Sequence, residues 1–96
     1  MKTDLTQLNR LEEYLKEHGI QYERIDKDDI YFDRHQLIIP HDGEGRQWDA
    51  ICQYGSYGWS EGLLEIYGTL VSKKPQGDSV IGHLTANDVI ELIEMG

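Results

Sequence analysis

The chain has 96 residues, which is short for one domain, and its composition is strongly acidic. Asp and Glu number 18 against 9 Lys and Arg, giving a formal net charge of −9. Independent domains cluster at about 100–150 residues, so the length predicts a single domain over residues 1–96. The charge argues against direct binding of nucleic acid or of anionic membranes, because both repel carboxylates. It favours a basic partner, although acidity can also serve solubility alone.

The cysteine content and the first residues of the sequence help to predict the cellular compartment. Cys52 is the one cysteine, so no internal disulfide forms. Met1 to Asp4 lead into a polar amphipathic segment instead of an apolar signal sequence. No stretch approaches the 18 or so apolar residues that cross a bilayer. The sequence therefore predicts a cytoplasmic protein, in the cytosol of a bacterial host.

The first predicted element is a helix from about Asp4 to His18. Thr3 or Asp4 can cap its start, and Gly19 supplies a left-handed residue at its end. One apolar stripe follows helical spacing and consists of Leu5, Leu8, Leu11 and Leu15. This stripe is expected to pack on a sheet.

Three strands are predicted next, separated by two turns. The polar run Asp26–Asp29 and the glycine-rich run Asp42–Gly45 are typical turns. Pro40 suggests an edge position or the end of a strand, since proline has no backbone donor. The strands flanking these turns are Ile20–Ile25, Ile30–Pro40 and Arg46–Gln53.

The second half of the chain contains an ambiguous segment at residues 60–71. Glu61, Glu65 and Thr69 recur every fourth residue, which favours a helix capped by Ser60. Gly62 and Gly68 weaken a helix by about 1 kcal/mol each, so a strand stays open as the alternative.

The chain closes with a polar loop, a short apolar stretch and a helix. The loop covers residues 72–79 and the apolar stretch residues 80–84. Thr85 caps a helix from Ala86 to about Met95, with Asp88 in the capping-box position. The predicted fold is α+β in the order α-β-β-β-α-α, a three-stranded antiparallel sheet with helices packed on one face.

Neither a metal site nor a catalytic site is predicted from spacings along the chain. Four histidines and Cys52 are the only soft ligands, and none stands at a CxxC, HxxxH or HExxH spacing. Cys52 lies in an alternating apolar strand, which predicts a buried structural thiol. No phosphate-binding glycine motif occurs. We therefore expect a protein without a metal or cofactor that is not an enzyme.

Two kinds of residue are candidates for contact with a partner. The loop at 54–59 combines glycines with aromatic residues, of which Tyr57 and Trp59 are the better contact candidates, although such side chains also fold back onto a core. Carboxylates at helical or turn spacing can imitate a phosphate backbone, or simply form a solvated face. The acidic candidates are Asp26, Asp28, Asp29, Asp33, Asp88, Glu91 and Glu94.

Several segments resemble small proteins of Gram-positive phages and prophages. The resemblance rests on Trp48-Asp49-Ala50-Ile51-Cys52-Gln53, Gly55-Ser56-Tyr57-Gly58, Glu61-Gly62-Leu63-Leu64-Glu65-Ile66-Tyr67-Gly68 and parts of residues 78–89. It implies a context but no biochemical function. The predicted element order, size and acidity are also similar to some small type II anti-CRISPR proteins, which occupy the duplex cleft of a guide-loaded nuclease with carboxylates in place of phosphates.

These observations lead to an interaction protein as the first expectation. It would inhibit a basic nucleic-acid-binding host protein, with a Cas9-type nuclease as the leading guess, and act as a monomer or small homo-oligomer. One alternative is a protein that binds or sequesters a small nucleotide signal, using the aromatic loop as a pocket wall. A third is a structural phage protein.

Overall fold

The computed structural model describes residues 3–41, 45–73 and 80–95. Helix α1 covers Thr6–Glu17 and helix α2 covers Ala86–Glu94. Two 3-10 turns lie at Trp59–Glu61 and Thr69–Lys73. The strands are β1 Glu23–Asp28, β2 Asp33–His41, β3 Gly45–Ile51, β4 Leu64–Gly68 and β5 Val80–Leu84.

Within the described residues the sheet has five antiparallel strands in the order β1-β2-β3-β4-β5, so the prediction of three strands and three helices is wrong. Each strand pairs with the next one along the chain, which makes a meander. Pro40 lies in β2 beyond the part that pairs with β1, so its missing donor costs no bond on that side. The α+β class itself is correct.

The segment at 60–71 is a strand between two short turns, not a helix. Leu64 and Ile66 are buried, while Glu65 and Tyr67 point to the other face of the sheet, which is strand alternation. Gly62 and Gly68 have φ of 70° and 114°, so both ends of the segment leave the helical region. Pairing with β3 and β5 on both sides outweighs the four-residue spacing of the polar residues.

The first turn lies three residues later than predicted. Residues Asp26 and Asp28 are in β1, and the chain reverses at Asp29–Phe32. The strand tolerates these charges because Arg24 and His35 bind Asp26. The second predicted turn, at 42–45, and the loop at 72–79 fall mostly outside the described residues.

One hydrophobic core lies between the helices and one face of the sheet. Both helices contribute their apolar stripes to it, with Leu8, Leu11 and Leu15 from α1 and Ala86, Val89 and Leu92 from α2. The sheet face opposite them contributes Leu37, Ile39, Trp48, Ala50, Leu64, Ile66 and Ile81. All described members of this core are at most 7% exposed.

The predicted helix ends lie close to the observed ones, although α1 begins at Thr6, two residues after the predicted start, and its N-cap residue Leu5 makes no side-chain cap bond. Asp4 accepts a hydrogen bond from the amide of Thr6 at 3.0 Å, and Gly19 has a φ of 64° just after α1. Thr85 and Asp88 form a complete capping box, with contacts of 3.1 and 2.9 Å. These local signals act within a few residues, which is why the sequence located them correctly.

Substitution of Gly68 by alanine distinguishes the strand from the predicted helix. A Cβ at Gly68 would meet the Gln47 carbonyl oxygen at 2.6 Å and Trp48 Cα at 2.7 Å. Strain and overpacking should together destabilise Gly68→Ala by about 3 kcal/mol or more in denaturant unfolding. A helix at 60–71 would instead gain about 1 kcal/mol from the change.

Gly19→Ala is the matched control for that experiment. Its φ is also positive, but no atom lies within 4 Å of the added Cβ. It should cost only about 1–2 kcal/mol, the strain of the left-handed conformation alone. Equal losses in both variants would contradict the close contact of β4 with β3.

Candidate functional site

The turn between β1 and β2 exposes three consecutive large apolar side chains. Ile30 is 77% exposed, Tyr31 79% and Phe32 54%. The turn closes with a 2.8 Å hydrogen bond from the amide of Asp29 to the carbonyl of Phe32. We call residues 29–32 the hairpin tip. The predicted strand Ile30–Pro40 includes residues 30–32, so the sequence did not indicate that these three side chains would be exposed at a turn.

The meander places several loops at the same end of the sheet as the hairpin tip. In an antiparallel meander, the ends of β1, β3 and β5 and the starts of β2 and β4 coincide. This hairpin end therefore also carries the aromatic loop at 54–59 and the first turn of α2. This end also contacts the residues that precede α1, because Thr3 donates a hydrogen bond to Asp33 in β2.

The aromatic loop is partly exposed and partly fixed. Tyr54 and Tyr57 are 52% and 59% exposed, whereas Trp59 is half-buried. Trp59 donates its ring N–H to Thr3 Oγ1 at 2.9 Å and meets the ring of Tyr54 edge-on. Of the two predicted contact aromatics, Tyr57 is therefore accessible and Trp59 mainly anchors the loop.

A buried imidazole joins the base of the hairpin to three carboxylates. His35 is 4% exposed at its side chain, and its Nδ1 lies 2.7 Å from Asp26 Oδ1. Its Nε2 lies 3.2 Å from Asp33 Oδ2 and 3.4 Å from Asp28 Oδ1. We call His35 with Asp26, Asp28 and Asp33 the hairpin-base cluster. Spacings along the chain do not reveal it, because the strand register brings these residues together.

Hydrogen bonds hold two of these carboxyls in the ionised form. Burial alone would raise the pKa of Asp26, but hydrogen bonds from Arg24 and His35 outweigh it and lower that pKa. Burial also opposes ionisation of Asp33, yet bonds from the Thr3 hydroxyl and the Tyr54 amide lower its pKa. Both groups therefore act as acceptors near neutral pH.

The structure divides the acidic candidates of residues 26–33 into two groups. Asp33 is 1% exposed at its side chain and binds within the fold, and Asp26 is tied to Arg24 and His35. Asp28 is 71% exposed, and Asp29 is also exposed, so these two can meet a partner.

The acidic candidates of α2 all lie on exposed positions of one helix. Asp88 is at the hairpin end, but its carboxylate is used in the capping box. Glu94 lies about 9 Å farther along the helix and accepts a 3.1 Å bond from the Tyr14 hydroxyl. Glu91 is exposed between them. This row thus leads away from the hairpin tip.

A groove of about 310 Å³ lies elsewhere in the molecule. It is lined by Ile20, Ile39, Gln47, Trp48, Thr69, Leu70 and Ile93. None of these residues belongs to the aromatic loop, which the small-ligand alternative used as a wall. Arg24 binds Glu12 and Asp26, while Arg34 binds Gln36 on the other face of the sheet. These two arginines therefore do not converge on an anion.

Comparison of the chain with protein-family models, curated proteins and solved structures finds no match. No helix within the described ranges is both long and apolar enough to span a bilayer.

The thiol of Cys52 should be unreactive in the folded protein. Burial, followed by the charges of Asp4 and Asp33, raises its pKa to about 11. At pH 8 this lowers the thiolate fraction by roughly 200- to 300-fold relative to an ordinary thiol, and burial further blocks access. Labelling with a disulfide reagent should therefore be at least 100-fold slower in native protein than in the same chain unfolded in guanidinium. Comparable labelling rates would contradict the buried thiol.

Proposed function

We propose that this protein is an acidic interaction protein that binds a basic partner protein through the hairpin end of its sheet. The observation that carries the proposal is the run of three exposed apolar side chains at the hairpin tip. A monomeric surface usually scatters its large apolar side chains singly, whereas contiguous ones mark contact sites.

The surroundings of the tip have the composition of a contact surface. Tyr31 and Tyr54 expose large rings, which lose little conformational entropy when a partner covers them. The hydrogen bond from the Tyr54 amide to Asp33, 2.7 Å long, holds the aromatic loop to the hairpin. A partner would therefore meet apolar groups that are already positioned, which favours affinity.

Charge indicates the chemistry of the partner. The hairpin end carries five exposed carboxylates, on Asp4, Asp28, Asp29, Glu61 and Asp88. The positively charged residues of the strands next to the turn are Lys27 and Arg34. Arg34 is hydrogen-bonded to Gln36. Such a rim accelerates encounter with a basic surface and repels an anionic lipid surface.

The proposed consequence is inhibition by exclusion. A domain of net charge −9 seated on a nucleic-acid-binding surface repels the phosphates that the surface would otherwise bind. The resemblance to anti-CRISPR proteins, which implies a Cas9-type nuclease as the partner, rests partly on the predicted element order. Because that order is wrong, the fold favours no particular basic protein.

Variants of the tip test the proposal by affinity capture. Tyr31→Ser combined with Phe32→Ser removes exposed apolar area without touching the core, so folding should be retained. A basic protein captured by the wild type at low salt should be recovered at least tenfold less by this variant, since central aromatic anchors contribute 2 kcal/mol or more. Quantitative mass spectrometry of the captured proteins gives the ratio.

Tyr67→Ser is the matched control, because Tyr67 is 49% exposed on the face of the sheet away from the helices. It should capture the same protein as the wild type. The proposal would be contradicted if the tip variant captured as much of the basic protein as the wild type does. It would also be contradicted if the wild type formed a dimer in sedimentation and the tip variant did not. The latter would make a second copy the occupant of the tip.

A second comparison separates the two acidic surfaces. Glu91→Lys with Glu94→Lys reverses charge on α2, while Asp88 is left intact because its substitution would break the capping box. If the partner binds at the hairpin end, this variant should slow association only modestly and leave the dissociation rate unchanged. A large increase in dissociation rate would move the contact to α2.

A further inference from the structure

The hairpin-base cluster has the geometry of a site for a divalent transition metal ion. Asp28 Oδ1, Asp33 Oδ2 and His35 Nε2 lie within 4.8 Å of one another. The nitrogen is 3.2 Å from one oxygen and 3.4 Å from the other. In a tetrahedral zinc site with bonds of about 2.0–2.1 Å, ligand atoms are separated by roughly 3.3–3.4 Å. The two separations that involve the nitrogen therefore match ligands that share one ion, and the two carboxylate oxygens lie within 4.8 Å of each other.

The other nitrogen of the ring supports the same assignment. Asp26 Oδ1 lies 2.7 Å from His35 Nδ1, so the ring can donate its Nδ1–H to that carboxylate. A histidine that binds a metal commonly donates its second N–H to a carboxylate in this way, which orients the ring. Nε2 is thereby directed between Asp28 and Asp33, on the side where their oxygens converge.

The two nitrogens of the ring make contacts of different length. A charge-assisted hydrogen bond between nitrogen and carboxylate is about 2.7–2.9 Å long, as observed at Nδ1. The two contacts of Nε2 are 0.3 Å or more beyond that range, at 3.2 and 3.4 Å. Both neighbours are carboxylates, and His35 is 96% buried, its side chain being 4% exposed. A cation among these three atoms would complete the charge balance.

We infer that Asp28, Asp33 and His35 bind a divalent transition metal ion, with Asp26 positioning the imidazole. An imidazole ligand favours zinc and its neighbours over magnesium or calcium, which prefer all-oxygen sites. The inference does not depend on the hairpin tip having a partner, since the cluster lies within one chain. An ion here would join β1 to β2 directly below the tip.

Zinc titration of the whole protein tests the inference. Calorimetry should show one zinc ion per chain, and zinc should raise the melting temperature, while magnesium or calcium at the same concentration should not. Asp28→Asn removes one ligand at an exposed position and should weaken zinc binding at least tenfold. Cobalt in place of zinc should give no thiolate charge-transfer band, because Cys52 is outside the ligand set.

Asp29→Asn provides the matched control. It makes the same charge change one residue away, and an asparagine oxygen still accepts the bond from the Ile30 amide. Zinc affinity should change less than twofold, and circular dichroism should show both variants folded. Absence of zinc binding, equal weakening by both variants, equal stabilisation by calcium or a thiolate band with cobalt would each overturn the assignment.

Discussion

The contact on which the hairpin end depends is the bond between His35 and Asp26, which joins the second strand to the first. On its other side the ring meets Asp33, whose carboxylate binds the start of α1 through Thr3 and the aromatic loop through the Tyr54 amide. Four segments thus meet around His35 and Asp33: the two strands of the hairpin, the residues before α1 and the aromatic loop. Burial of the ring at 4% exposure keeps water from competing for these bonds.

This arrangement explains how an acidic protein displays an apolar tip. Carboxylates close to one another would repel if unpaired, but internal donors stabilise Asp26 and Asp33 in the ionised form, so the strands can carry them. The exposed carboxylates of Asp28 and Asp29 remain beside Tyr31 and Phe32. Exposed apolar side chains surrounded by carboxylates are suited to bind a basic surface that has apolar depressions.

The sequence predicted the local features correctly and the long-range ones poorly. The leucine stripe of α1, the glycine after it and the Thr85 capping box depend on neighbours within four residues. The strand at Leu64–Gly68 depends on its pairing with β3 and β5. The spacing of residues within the segment does not predict that pairing. The hairpin-base cluster was missed for the same reason, since only the pairing of Asp26 with His35 brings its residues together. One signal was present: three apolar residues stand between Asp29 and Asp33 without the alternation of a strand.

The most direct test of the anchored hairpin is amide hydrogen exchange resolved by NMR in the isolated protein. The Tyr54 amide, bonded to Asp33, and the Cys52 amide, bonded to the His35 carbonyl, should exchange slowly, with protection close to that of the sheet. The Tyr31 amide at the exposed tip should exchange near the rate of an unfolded chain. Rapid exchange at Tyr54 would show that the loop is not held to the hairpin, and would contradict a preformed contact surface.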